Sequence, residues 1–307
     1  MLEDSVPMRD AVTAQVSRGP TLALHLLVAT TTALIVLGAL VRAHEAGLAC
    51  PDWPLCFGEV LPEMDLQIAF EWSHRALAGA ISLVFAAVVF RCRREPELWR
   101  RTRLPLLIGA GLLVCQILLG ALTVWKLLAA WTVTAHLLTG NAFNASLWIA
   151  AGRARGVALP VGRPASLGAR RAGVAALALL VAQIALGGLV SSTFAGLACP
   201  EWPLCSGGAL LPSLSGSVGL HLAHRWNPVL LVVALAAAAA LGRGTPGGRW
   251  WAFALAVALL QWAVGIANVL LGIPVEVTAL HSGLAAALVL IAVWALHESF
   301  RRSRRGD

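Results

Sequence analysis

Apolar positions run almost unbroken for about twenty residues at a time along most of this chain. The first run, residues 21–41, is long enough as a helix, at about 1.5 Å per residue, to cross a hydrocarbon core of roughly 30 Å. Seven more follow near 70–90, 104–125, 129–151, 172–193, 218–241, 250–271 and 275–297. The pattern predicts an all-α integral membrane protein with eight transmembrane helices. Composition agrees, because 59% apolar residues, 12% charged residues and a mean hydropathy of +0.79 lie far outside the range of a soluble domain.

Charge adds orientation. The formal charge of +8 does not point to nucleic acid, since the arginines fall in short clusters between apolar runs. Of 23 basic residues, 19 lie in 1–20, 91–103, 152–171, 242–249 and the C-terminal tail 299–307. By the positive-inside rule those segments and both termini are expected on the cytoplasmic side. Residues 1–20 lack the apolar core and cleavage site of a secretory signal and read as a cytoplasmic tail. The opposite connections, about 42–69 and 194–217, then face outward. With twelve Trp and no Tyr, Trp has to supply the aromatic belts at the membrane surfaces.

The outer connections carry a repeat. GLACPDWPLC at 47–56 recurs as GLACPEWPLC at 196–205, and each copy leads into a His-Arg pair about twenty residues on. The first pair sits in Glu71-Trp72-Ser73-His74-Arg75 and the second in His221-Leu222-Ala223-His224-Arg225. Gln116, Gly120 and His136 match Gln261, Gly265 and His281 at a constant offset. Four helices per half preserve the orientation, which predicts a parallel repeat about an axis along the membrane normal. Two pseudo-symmetric four-helix bundles, 21–151 and 172–298, are expected on either side of a cytoplasmic linker, 152–171.

His74, His136, His224 and His281 each lie five to seven residues into a helix that runs from outside to inside, a common depth of roughly 8 to 10 Å. Polar groups at such depth are costly and by default functional. Two imidazoles on neighbouring helices suit the axial positions of a haem iron, so His74 with His136 and His224 with His281 are expected to ligate one haem each. His221, one turn from His224, reads as a second polar contact to the same cofactor. Its repeat partner is Glu71, a carboxylate beside His74 whose charged form apolar surroundings disfavour, which suits proton handling; a salt bridge to Arg75 is the alternative. Arg75 and Arg225 are expected to reach haem propionates by snorkelling. The cysteine pairs Cys50/Cys56 and Cys199/Cys205 favour disulfides on the oxidising side, either as lids or as redox partners. A four-cysteine zinc site would need tighter spacing. Cys92 and Cys115 read as small apolar residues.

The combination of Glu71-Trp72-Ser73-His74-Arg75, the phrase from Cys50 to Cys56, His136, His224 and His281 in a duplicated eight-helix frame resembles the haem A synthase family over nearly the whole chain. It departs from the family at Arg42-Ala43-His44-Glu45, where small hydroxyl or Gly residues are usual, and at His221, often Gln. The resemblance implies oxidation of a ring methyl of haem O, by successive hydroxylations with oxygen from water, to the formyl group of haem A. It implies substrate haem in the N-terminal half with Glu71 as the catalytic group, and an electron-carrying haem b between His224 and His281. It further implies a bacterial cytoplasmic membrane location, and haem O synthase and cytochrome oxidase assembly factors as partners, beside the lipid bilayer. The electron acceptor and any homo-oligomeric state stay open. The competing class is a dihaem b electron carrier without covalent haem chemistry. A transporter is disfavoured, because no Gly/Pro-broken helix pair occurs at matching midplane positions.

Overall fold

A computed structural model describes residues 18–156 and 163–301. Most of the expected tail 1–20, the middle of the linker 152–171 and the end of the C-terminal tail lie outside the described residues. Eight long helices hold most of the described residues: α1 (Arg18–Ala43), α2 (Leu66–Arg93), α3 (Pro96–Trp125), α4 (Ala130–Ala154), α5 (Leu167–Ser192), α6 (Gly216–Leu241), α7 (Gly248–Leu270) and α8 (Val275–Phe300).

Several helices outrun their apolar cores. α2 continues to Arg93 and α3 begins at Pro96, so only Arg94 and Glu95 separate them. Pro96 sits where a missing N–H costs nothing, and Glu97 pairs with Arg100 at 2.9 Å and Arg101 at 2.6 Å along the first turns of α3. The arginine-rich stretch 91–103 is therefore mostly helix end rather than loop.

Seven of the eight described helices are long and apolar enough to span a membrane, and α4 is the exception. It has the length, at 25 residues, but carries Thr132, Thr134, His136, Asn141, Asn144 and Ser146. Its position explains the composition, because α4 packs against α1, α3, α5 and α8. Thr132, Thr134, Asn141, Asn144 and Ser146 are all buried, and Asn144 Nδ2 donates to Thr32 Oγ1 of α1 at 2.8 Å. A helix shielded by protein can hold polar residues that lipid would reject.

α1 to α4 pack on one another in sequence order with α1 closing on α4, and α5 to α8 do the same with α5 closing on α8. The two groups meet through α1–α8, α4–α5 and α4–α8. Leu24, Leu27, Phe85, Phe143 and Leu147 centre one buried cluster, and Leu180, Leu231, Leu235, Trp251 and Leu288 the other. The long connections 44–65 and 193–215 emerge at the same end, since Arg42 at the end of α1 donates to Ser191 O at the end of α5 at 2.8 Å.

Trp251 is 1% exposed, lies against Gly173 of α5, and donates from Nε1 to Ser299 Oγ of α8 at 3.2 Å. Helix association in lipid rests on such packing rather than on release of water. Trp251→Ala is expected to cost about 3–5 kcal/mol, the range for emptying a large buried aromatic site, read as a lower unfolding temperature of the detergent-solubilised protein.

Candidate functional site

The site is built downward from the two cysteine loops. Cys50 is bonded to Cys56 and Cys199 to Cys205, with Cα–Cα separations of 4.7 and 4.6 Å, which leaves none of the four as a thiolate for zinc. The Trp53–Pro54 and Trp202–Pro203 peptide bonds are both cis. In the first loop Asp52 accepts from the N–H groups of Gly58 at 2.8 Å and Phe57 at 2.7 Å. Those contacts, Gly58 foremost, hold its carboxyl below the usual carboxylate range, with the Arg75 charge a smaller contribution.

Each loop is gripped by the arginine of the helix beneath it. Arg75 donates to the carbonyls of Asp52 and Leu55, both at 2.6 Å, and of Cys50 at 3.1 Å. Arg225 donates to those of Glu201 at 2.7 Å, Leu204 at 3.1 Å and Cys199 at 2.9 Å. The three acceptors correspond one for one across the repeat. Arg225 also lies over the Trp202 ring, 4.9 Å from its centroid. Both guanidinium groups, expected from sequence to reach outward for propionates, are turned onto the loops.

Glu71 and His221 also share one task. Glu71 Oε2 accepts from the N–H of Cys50 at 2.8 Å, and His221 Nδ1 accepts from the N–H of Cys199 at 3.2 Å. Both are buried, at 5% and 3% exposure. The other oxygen of Glu71 forms an ion pair with Arg75 that has no counterpart at His221.

One turn further in are the four histidines. The rings of His74 on α2 and His136 on α4 have centroids 6.4 Å apart and planes tilted by 52°. With imidazole–metal bonds of about 2 Å, that separation leaves room for a single metal atom between them. His136 Nε2 lies 3.1 Å from Gln116 Nε2, and its Nδ1 has no hydrogen-bond partner although buried. His281 Nδ1 is likewise buried without a partner, while Gln261 donates to the His281 carbonyl at 2.8 Å.

His224 has more support than its counterpart His74. Pro228 has no N–H to offer the carbonyl four residues back, which is that of His224. Gln183 of α5 fills the gap, donating from Nε2 to His224 O at 3.0 Å and lying 3.1 Å from Nδ1. Asn227 in turn donates to Gln183 Oε1 at 2.8 Å. Sequence reasoning passed over Gln183 and Asn227 because neither has a polar repeat partner. A polar residue inside an apolar helix was the available signal.

Among the described residues no three His, Cys, Asp or Glu side chains converge as a metal-ion ligand set. Paired imidazoles, one of each pair (His136 and His281) keeping a buried ring nitrogen without a partner, fit a metal that brings further ligands of its own, as haem does. His25, His44 and His297 lie away from these pairs, with His44 stacked on Phe70 at 4.2 Å.

Fold and site together define a multi-pass, all-α membrane protein with imidazoles facing each other between helices. The chain belongs to the COX15-CtaA family, described as cytochrome oxidase assembly protein, whose model matches residues 21–71 and 63–293. It is similar to proteins named Heme A synthase: 28% identical to that of Shewanella oneidensis over 88% of this chain and 93% of the relative. The corresponding figures are 31% over 83% and 88% for Halalkalibacterium halodurans, and 30% over 88% and 87% for Methylobacterium radiotolerans.

If Arg225 holds the second loop closed, Arg225→Gln should expose the Cys199–Cys205 bond. Loss of one charge-assisted hydrogen bond is worth about 1.5–3 kcal/mol. Reduction of that bond by a mild thiol, followed by alkylation and peptide mapping, is expected to speed up about tenfold or more, with Cys50–Cys56 unaffected.

Proposed function

We propose that this chain is a haem A synthase that oxidises a ring methyl of haem O to the formyl group of haem A. The observation that carries the reading is Glu71, buried one turn from the facing pair His74 and His136 in a chain of this family. The conversion takes two hydroxylations with oxygen from water, each passing two electrons to an acceptor outside this chain and releasing two protons, and then loss of one water from the hydrate. His74 and His136 hold the substrate haem. Glu71 is the catalytic group, and as an ion-paired carboxylate it offers negative charge to a methyl carbon that turns positive as electrons leave. His224 and His281 hold haem b, which when bound supplies one-electron transfer. Gln183 and Asn227 fix His224 in place, and His221 ties the second loop to α6 above that pocket.

In this reading the repeat is parallel, the halves are 21–151 and 172–298, both termini are cytoplasmic and the disulfide loops cover the outer mouths of the pockets. The basic segments on one side and the matched loop contacts support it. Arg75 and Arg225 act on the haems through the loops they grip. The relatives' name and family description support partners in cytochrome oxidase assembly, a haem O source among them.

Haem extraction and mass analysis of protein made with and without a haem O source tests cofactor and reaction together. Haem A or its hydroxylated precursor beside haem b is the expected result, and haem b alone would return the chain to the class of plain electron carriers.

Glu71→Gln keeps size and hydrogen bonding but removes the charge. Haem should still bind while haem A formation falls about 100-fold to 1,000-fold, and near-normal conversion would leave Glu71 a loop anchor only. His221→Gln, which preserves an acceptor for Cys199, should leave most activity.

A further inference from the structure

Each of the four imidazoles faces a glycine on the helix that precedes its own. A Cβ on Gly38 of α1 would lie 3.2 Å from His74 Nε2, and one on Gly120 of α3 would lie 3.3 Å from His136 Cε1. On Gly187 of α5 it would lie 3.0 Å from His224 Cε1, and on Gly265 of α7 2.9 Å from His281 Cε1. The two α1/α5 glycines share the spacing of the cysteine loops, and the two α3/α7 glycines that of His136 and His281. All four sit in right-handed helix where any residue can follow the backbone, so the tight approach of the rings rather than a turn singles out glycine here.

We propose that Gly38, Gly120, Gly187 and Gly265 are positioning residues that set where the four imidazoles stand, and so how each pair would hold a haem. The proposal rests on the reading of the four histidines as haem ligands. At each position the atoms crowded by an added methyl belong to the tip of a side chain that turns about two bonds, so the ring gives way before the helices do. Alanine there displaces a ligand without unfolding the protein. The effect is graded: Gly265 and Gly187 leave the least room, so the second pocket is the more sensitive.

The test compares purified full-length variants with two control glycines, Gly79 and Gly111, whose added Cβ would meet nothing within 4 Å. Gly79→Ala and Gly111→Ala should keep the wild-type low-spin haem spectrum. Gly265→Ala and Gly187→Ala should lose the low-spin signal of one haem and release it roughly 10-fold to 100-fold more readily, the range for residues that orient a metal ligand. Gly38→Ala and Gly120→Ala should perturb the other haem. Spectra and haem retention of all four matching the controls would overturn the proposal. A wild-type protein that bound no haem would instead overturn the reading beneath it. The contact itself is read without haem: alanine favours helix over glycine, so Gly265→Ala should raise the unfolding temperature in a His281→Ala background and fail to do so when His281 is present. Equal shifts in both backgrounds would also overturn the proposal.

Discussion

The grip of Arg75 and Arg225 on the carbonyls of the cysteine loops is the contact from which the rest of the site hangs. A disulfide-closed loop of seven residues, from Cys50 to Cys56 or from Cys199 to Cys205, cannot satisfy its own carbonyls as a helix or strand would, and those turned inward, such as Cys50 O and Cys199 O, need a partner. One guanidinium with several donors in a fixed fork meets three of them at once. Because each arginine directly follows a proposed ligand, His74 or His224, the loop and the imidazole are fixed to the same helical turn. Loop position and ring position cannot vary independently.

Much of this was legible in the sequence for a physical reason: apolar runs of membrane length and an internal repeat are both long-range patterns that survive errors at single positions. The helix order, the paired cysteines and the four histidines follow from them. What stayed hidden depends on where flexible side chains turn. Spacing places Arg75 beside His74 but does not say whether five guanidinium donors meet a propionate or a nearby carbonyl, and the nearer acceptors belong to the loop. Helix ends were also hidden, since arginine and glutamate continue a helix past the apolar core, as at Arg93 and Pro96.

α4 shows the limit of hydropathy from the other side. A span whose polar residues turn toward neighbouring helices reads as weak when averaged, although four other helices pack against it. The buried Asn144 contact to Thr32 ties α4 to α1, and the same helix carries His136, so the polar helix at the meeting of the two halves also bears a proposed ligand. Interior position and polar chemistry are two aspects of one constraint.

The duplicated frame keeps a backbone contact and changes the group that makes it. Glu71 and His221 both accept the N–H of the first cysteine in their loop, so either residue anchors the loop, and the choice between them is free to serve chemistry. The first half uses the freedom for a charge beside its histidine pair. The second half spends polar residues on rigidity: Pro228 bares the His224 carbonyl, Gln183 takes it, and Asn227 holds Gln183, whereas the first half has Leu34 and Leu77 where these two amides stand. A resident electron carrier gains from a ligand locked by its neighbours, because reorganisation slows transfer, while a pocket that takes in one haem and releases another needs a ligand that can let go. The asymmetry in hydrogen bonding around His74 and His224 therefore runs the way that the proposed division of labour requires.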